Sequence, residues 1–326
     1  DGPDMLTHGG NLEAAISLYG GDADQWIDLS TGINPVPYPV PNLAPEAWTR
    51  LPTRTALAEL AHEAARAYGT VAPVVPLAGA SQAISLAPLL RKPGRARILG
   101  PTYNEHAAAL AAAGWRVKQV GKLKALEGAD LAVVVNPDNP TGRQIAPERL
   151  LKLAGKVRLL VVDESFADPH PELSLAPLIG PATEGIVLQR SFGKIYGLAG
   201  MRLGFAISGV DMAERLAGRC GPWPVSGPAV EIGRLALGDA EWLAATVARL
   251  KADMARLDGL AEAAGWAKVG GTALFATYAV GDADAAQVRL ARANIWSRVF
   301  DHTPGWLRLG LPAPGTPFDR LRDALS

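Results

Sequence analysis

With 326 residues, 48% of them hydrophobic and 20% charged, the chain can bury a sizeable core and has the length of two structural units. Its 32 basic residues balance 32 acidic ones, and no Lys/Arg-rich run stands out, so a nucleic-acid or membrane-surface partner has no electrostatic support. The single cysteine, Cys220, excludes an internal disulfide and fits a reducing compartment. No apolar stretch reaches the ~20 residues of a membrane span, and the N-terminus lacks a signal-peptide pattern. A cytoplasmic protein without a membrane partner is the expectation.

In chain order, the first thirty or so residues read as an arm and part of a small domain. The stretch from Asn34 to Pro52 carries Pro35, Pro37, Pro39, Pro41, Pro45 and Pro52, which predicts extended connector rather than helix. Helical periodicity follows: Leu57, Leu60, Ala61 and Ala64 share a face, with Arg54, Glu59 and Glu63 turned outward. Short apolar runs then alternate with helical stretches, at Val74–Leu77, Arg97–Leu99, Leu131–Val135, Leu159–Val162, Ile186–Leu188 and Leu203–Ile207. Such alternation predicts an α/β architecture, a mostly parallel sheet with helices on both faces. The pattern changes at the Gly- and Pro-rich stretch Gly218–Pro228. One long helix, about Ala229–Leu260, and a weaker strand–helix–strand pattern follow. The domains expected are therefore 31–218, a large one, and 219–326, a small one that 1–30 partly joins.

The strongest chemical signal is Ser191-Phe192-Gly193-Lys194-Ile195-Tyr196-Gly197-Leu198-Ala199-Gly200-Met201-Arg202-Leu203-Gly204. A lone lysine after a strand is usually a solvated residue. Here glycines crowd it on both sides, so backbone can approach a bulky ligand closely. Ser191 and Arg202 add a hydroxyl and a guanidinium, which suit a phosphate. A lysine amine forms a Schiff base with the aldehyde of pyridoxal phosphate. The stretch closely resembles the lysine signature of the fold-type I aminotransferases, which are pyridoxal 5′-phosphate enzymes. The resemblance implies a mostly parallel seven-stranded sheet flanked by helices, a smaller α/β C-terminal domain, and Lys194 as the cofactor's lysine.

Further residues fall into place under that resemblance. Leu160-Val161-Val162-Asp163-Glu164-Ser165-Phe166 ends a buried strand in an acidic pair, and Asp163 matches the aspartate that keeps the pyridine nitrogen protonated. Phe166 stands where the family commonly has a tyrosine, so a hydroxyl to the cofactor's phenolic oxygen is lacking. Asn136-Pro137-Asp138-Asn139-Pro140-Thr141-Gly142 resembles the family's Asn-Pro-Thr-Gly turn, with Asn139 bonding that oxygen. Gly79-Ala80-Ser81-Gln82 opens a helix after a strand, an anion site by its free amides and helix dipole, and matches the phosphate cradle. Tyr103, in Pro101-Thr102-Tyr103, matches the aromatic ring that stacks on the cofactor. No metal is implied.

In the C-terminal part, Arg308 matches the arginine that binds a substrate α-carboxylate. Arg298 matches the one that binds substrate phosphate in the phosphate-handling branch. Thr7-His8-Gly9-Gly10-Asn11 and Trp26-Ile27-Asp28-Leu29-Ser30-Thr31-Gly32-Ile33-Asn34-Pro35 look like the opening of the threonine-phosphate decarboxylase branch of cobalamin biosynthesis. The resemblance implies that His8, Gly9, Gly10, Asn11 and Asn34 contact substrate. It also implies a homodimer with the active site at the subunit interface. Leu51, in Thr49-Arg50-Leu51-Pro52-Thr53, departs from the tyrosine that both phosphate-handling branches usually place at the neighbouring subunit's cofactor phosphate. The expected reaction breaks Cα–COO⁻ of phosphothreonine, with Arg308 and Arg298 fixing the torsion. The rivals are a histidinol-phosphate-type aminotransferase, which breaks Cα–H, and a non-enzymatic effector-binding module.

Overall fold

The computed structural model describes residues 9–326. Contacts divide the chain into two compact units: residues 37–139 with 143–245, and residues 9–36 with 140–142 and 246–326.

The larger unit is built on seven strands: β1 (Val74–Leu77), β2 (Arg95–Leu99), β3 (Arg116–Val120), β4 (Leu131–Val135), β5 (Leu160–Asp163), β6 (Ile186–Ser191) and β7 (Gly204–Ser208). Their order is β1-β7-β6-β5-β4-β2-β3. Only β7 runs antiparallel to its neighbours, β1 and β6. The expected mostly parallel sheet is present. Strands β4 to β7 are buried throughout, as near-continuous apolar runs should be when both faces are covered. The seventh strand, β3, has no such run. It lies at the sheet edge, and its Arg116, Lys118 and Gln119 are exposed. On one face Val133, Val161 and Val187 pack with Ala83, Leu110 and Leu216 from helices.

Helix α1 (Arg54–Ala67) starts where the periodicity predicts, with the Thr53 side chain capping Ala56 N–H at 3.1 Å. The connector before it contains one helical turn, Glu46–Thr49, at whose N-cap Pro45 has φ −53°. The long helix expected near 229–260 is two helices, α4 (Gly227–Gly238) and α5 (Ala240–Ala263). Asp239 interrupts it with a non-helical backbone, and its carboxylate accepts from Trp242 N–H at 2.9 Å. Residues 219–245 belong to the larger unit, so the Gly- and Pro-rich change in pattern falls inside it, and the contacts divide within α5.

The smaller unit contains a four-stranded antiparallel sheet ordered β10-β11-β9-β8: β8 (Ala267–Gly271), β9 (Phe275–Ala279), β10 (Arg298–Val299) and β11 (Trp306–Gly310). Ile27–Asp28 pairs in parallel with Ile295–Trp296, tying the N-terminal part to this unit. The turn at 140–142 docks on the same sheet. Thr277 Oγ1 donates to Pro140 O at 2.7 Å, and a Cβ on Gly142, where φ is +68°, would lie 2.1 Å from Gly271 N.

That close approach is testable against Gly265, which has φ +78° but open space around it. Gly265→Ala is expected to cost about 1–2 kcal/mol of left-handed strain alone. Gly142→Ala adds a backbone clash of roughly a further 1–3 kcal/mol, so thermal unfolding should show the larger drop in Tm at Gly142.

Candidate active site

In the larger unit, the C-terminal ends of β4, β5 and β6 and the turn after β1 carry the residues singled out from sequence. Open parallel sheets bind ligands at such strand ends. After β1 the chain turns at Gly79, φ +81°, into helix α2 (Ala80–Leu86). The first-turn amides of Ala80 and Ser81 have no acceptor within the helix. Arg202 lies over this turn. A Cβ on Gly79 would sit 2.5 Å from Arg202 Nη2, and Ser81 Oγ is 3.4 Å from the same nitrogen. Arg202 itself adopts the left-handed conformation, φ 53°, ψ 53°, costly for a non-glycine, and its Nη1 donates to Ala199 O at 2.9 Å. Gly204 backs the cradle, since a Cβ there would lie 2.6 Å from Ala80 N. Ser191 is the register partner of Gly204, which brings it to the same place.

Lys194 sits in a single helical turn, α3 (Phe192–Ile195), directly after β6 and is half-buried. Its Nζ lies 5.5 Å from the centre of the buried Phe166 ring, within reach of a cation–π attraction. Asp163, the last residue of β5, is buried. His106 Nε2 donates to its Oδ2 at 2.9 Å, and Ser165 donates to its Oδ1 twice, from N–H at 2.9 Å and from Oγ at 2.5 Å. Burial pushes this carboxyl upward, but the hydrogen bond and attraction of His106, with the two bonds from Ser165, outweigh it. The net result is a value below the usual carboxylate pKa, so Asp163 carries its charge.

Tyr103 stands edge-on to His106, ring centres 6.3 Å apart. Its neighbour Thr102 donates to Asp138 Oδ1 at 2.5 Å and approaches Asn139 O at 3.4 Å, so the Tyr103 loop and the Asn139 turn are tied together. His106 is the residue that sequence reasoning missed. It lies three positions after Tyr103 on the Ala-rich helix Glu105–Ala112, with no motif of its own. Its burial against Asp163 exists only in three dimensions.

In the smaller unit, Arg298 and Arg308 are direct cross-strand partners on β10 and β11. Like charges placed opposite each other destabilise a sheet. The Phe300 ring lies between 5 and 6 Å from both, 5.4 Å from Arg298 Cζ and 5.9 Å from Arg308 Cζ. Arg308 is buried, and its Nη2 donates to Ser30 O at 2.6 Å. The two glycines of the N-terminal arm run over this point. A Cβ on Gly9 would lie 2.2 Å from Ser30 O and 3.5 Å from Arg308 Nη2, and Gly10 N–H donates to Ser30 Oγ at 2.7 Å. His8 lies outside the described residues. Asn11 has a local task, accepting from Ala14 N–H at 3.2 Å as the cap of helix Leu12–Tyr19. Asn34 is buried, and its Oδ1 accepts from Arg249 Nη2 at 2.6 Å and Val36 N–H at 3.0 Å. Leu51 is 63% exposed.

Among the described residues there is no His/Cys/Asp/Glu group able to hold a metal, and no helix long and apolar enough to cross a membrane. Residues 25–323 match the family described as aminotransferase class I and II. The chain belongs to that family. Threonine-phosphate decarboxylase from Sinorhizobium sp is 42% identical over 332 residues, covering 98% of each chain. Threonine-phosphate decarboxylase from Pseudomonas aeruginosa is 41% identical, covering 98% of this chain and 97% of its own. Among solved structures, histidinol-phosphate aminotransferase from Sinorhizobium meliloti, in complex with pyridoxal-5′-phosphate, superposes with a TM-score of 0.80 at 21% identity, covering 96% of this chain and 92% of that one. This last likeness speaks for the fold.

His106→Leu tests the Asp163 arrangement. A carboxyl held low in the folded state contributes stability above its unfolded pKa and loses it as pH falls through the folded value. The substitution is expected to cost about 1.5–3 kcal/mol at neutral pH, the size of a hydrogen bond to a charged group. The cost should shrink as pH falls below the ordinary carboxylate value of 3.8. Urea unfolding at a series of pH values checks both points.

Proposed function

We propose that the chain is a pyridoxal-phosphate-dependent decarboxylase of L-threonine O-3-phosphate, releasing carbon dioxide and forming (R)-1-amino-2-propanol phosphate for cobalamin biosynthesis. The observation that carries this reading is the whole-length similarity to the two threonine-phosphate decarboxylases. The opposed pair Arg298 and Arg308 supports it, because a substrate with a phosphate and a carboxylate offsets the repulsion of two facing cations.

The residues of the larger unit fit the cofactor. A turn that only glycine permits under Arg202, a buried carboxylate kept charged, and a half-buried lysine have no common purpose in packing alone. The Ala80 and Ser81 amides, with Ser81, Ser191 and Arg202, would hold its phosphate. Asp163 would hold the proton on its ring nitrogen, Asn139 its phenolic oxygen, and Tyr103 would cover the ring. When bound, the cofactor supplies an electron sink for the pair left at Cα. Lys194 would hold the cofactor's aldehyde carbon, and its amine would be the group placed to return a proton to Cα. Phe166 would bring no hydroxyl to the phenolic oxygen, and its buried ring would keep water from that side. Arg308 would take the substrate carboxylate and Arg298 its phosphate, fixing the orientation of the Cα–COO⁻ bond. Gly9 would line the Arg308 end, and Gly10 lies beside it. The reading includes a homodimer, supported by the exposed Trp48 and Leu51 of the connector.

Purified protein supplied with pyridoxal phosphate and phosphothreonine should release carbon dioxide without any oxo acid. A requirement for 2-oxoglutarate would assign the chain to transamination instead. Arg298→Ala should lower kcat/KM for phosphothreonine by roughly 10–100-fold while barely changing that for threonine, whereas Arg308→Ala should penalise both substrates. Equal losses on both substrates from Arg298→Ala would remove it from the phosphate site.

A further inference from the structure

A buried charge cluster lies behind the proposed cofactor site and takes no part in the chemistry assigned above. Arg190, on β6 immediately before Ser191, donates from Nη1 to Glu164 Oε2 at 2.9 Å and from Nη2 to Asp168 Oδ1 at 2.8 Å. All three side chains are less than a tenth exposed. The guanidinium lies over the Tyr68 ring, 4.2 Å from its centre. Glu164 is fixed further by Ser174 Oγ at 2.6 Å and Leu175 N–H at 2.7 Å. One planar fork thus grips both ends of the five-residue segment 164–168. Two of the three residues inside the grip touch the proposed catalytic groups. Ser165 makes both bonds to Asp163 Oδ1, and Phe166 places its ring 5.5 Å from Lys194 Nζ.

Burying a guanidinium with two carboxylates is expensive in desolvation, and apolar side chains of equal volume hold strands together at least as well. What a fork adds is a fixed plane and two fixed directions. We propose that Arg190 and Asp168 are positioning residues: by closing the 164–168 segment they set where Ser165 holds Asp163 and where Phe166 holds the Lys194 amine. This rests on the reading of Asp163 and Lys194 as cofactor residues.

Asp168 is the end to remove. Without it Arg190 remains paired with Glu164, whereas loss of Arg190 would leave two buried carboxylates together. The test compares Asp168→Ala and Asp168→Asn holoproteins with the wild type, reading Tm, kcat, KM and the pH midpoint of the visible absorbance of Lys194-bound cofactor. Asp168→Ala should lower kcat by roughly 10–100-fold, the effect of a displacement on the order of 1 Å, with KM changed less than about threefold. Its absorbance midpoint should move by on the order of half a pH unit, because the surroundings of the Lys194 nitrogen change. Asp168→Asn still offers Oδ1 to the guanidinium and should restore most of both. If Asp168→Ala does not fold, Arg190→Lys, a point charge that cannot span both carboxylates, carries the same criteria. Wild-type kcat and midpoint in Asp168→Ala, whatever its Tm, would overturn the proposal. Absence of a visible band in the wild-type protein sinks the functional reading and the clamp together; a wild-type band with an unaltered variant sinks the clamp alone.

Discussion

A carboxylate inside a protein stays charged only when donors replace the water it has lost, and the larger unit is arranged around one such group. Asp163 ends a strand with neighbours on both sides, so its backbone position is set by the sheet. His106 and Ser165 then supply the donors that keep the charge where burial alone would quench it. The surrounding residues follow from this fixed point. Tyr103 reaches it through His106, and the Asn139 turn is tied to the Tyr103 loop through Thr102. Phe166 stands one residue beyond Ser165 and approaches Lys194. A permanent negative charge at this depth has a use when a cationic ring nitrogen must be held beside it.

In the smaller unit, cross-strand register puts Arg298 and Arg308 side by side, with the Phe300 ring near both and the Ser30 carbonyl accepting from Arg308. A ligand with two anionic groups turns the cost of two facing cations into binding energy, and one with a single anion does so less well. This is the physical basis for expecting discrimination between phosphothreonine and threonine.

Much of this was legible in the sequence because it is encoded locally. Central strands such as Leu131–Val135 and Leu160–Asp163 are buried on both faces and read as apolar runs, whereas the edge strand Arg116–Val120 is half solvated and has no such signature. The lysine stretch and the Gly79 turn could be picked out in the sequence because glycine placement and a strand-to-helix turn are short-range features. The break at Asp239 was hidden by apolar periodicity that continues through it; a cap is one residue's decision. His106, the Arg298–Arg308 register and the Arg190 fork depend on residues brought together from 10 to 57 positions apart, and no window along the chain contains them. Asn11 and Asn34 also carry contacts that their sequence neighbourhood did not show, since the fold gives their side-chain oxygens a helix cap and an arginine.

The account stands on Lys194 as the residue that carries the cofactor. The most direct measurement is borohydride reduction of the protein equilibrated with pyridoxal phosphate, followed by peptide mass spectrometry. The account predicts a single pyridoxyl group on the peptide containing Lys194. A pyridoxyl group on a different lysine, or none on any, would contradict it.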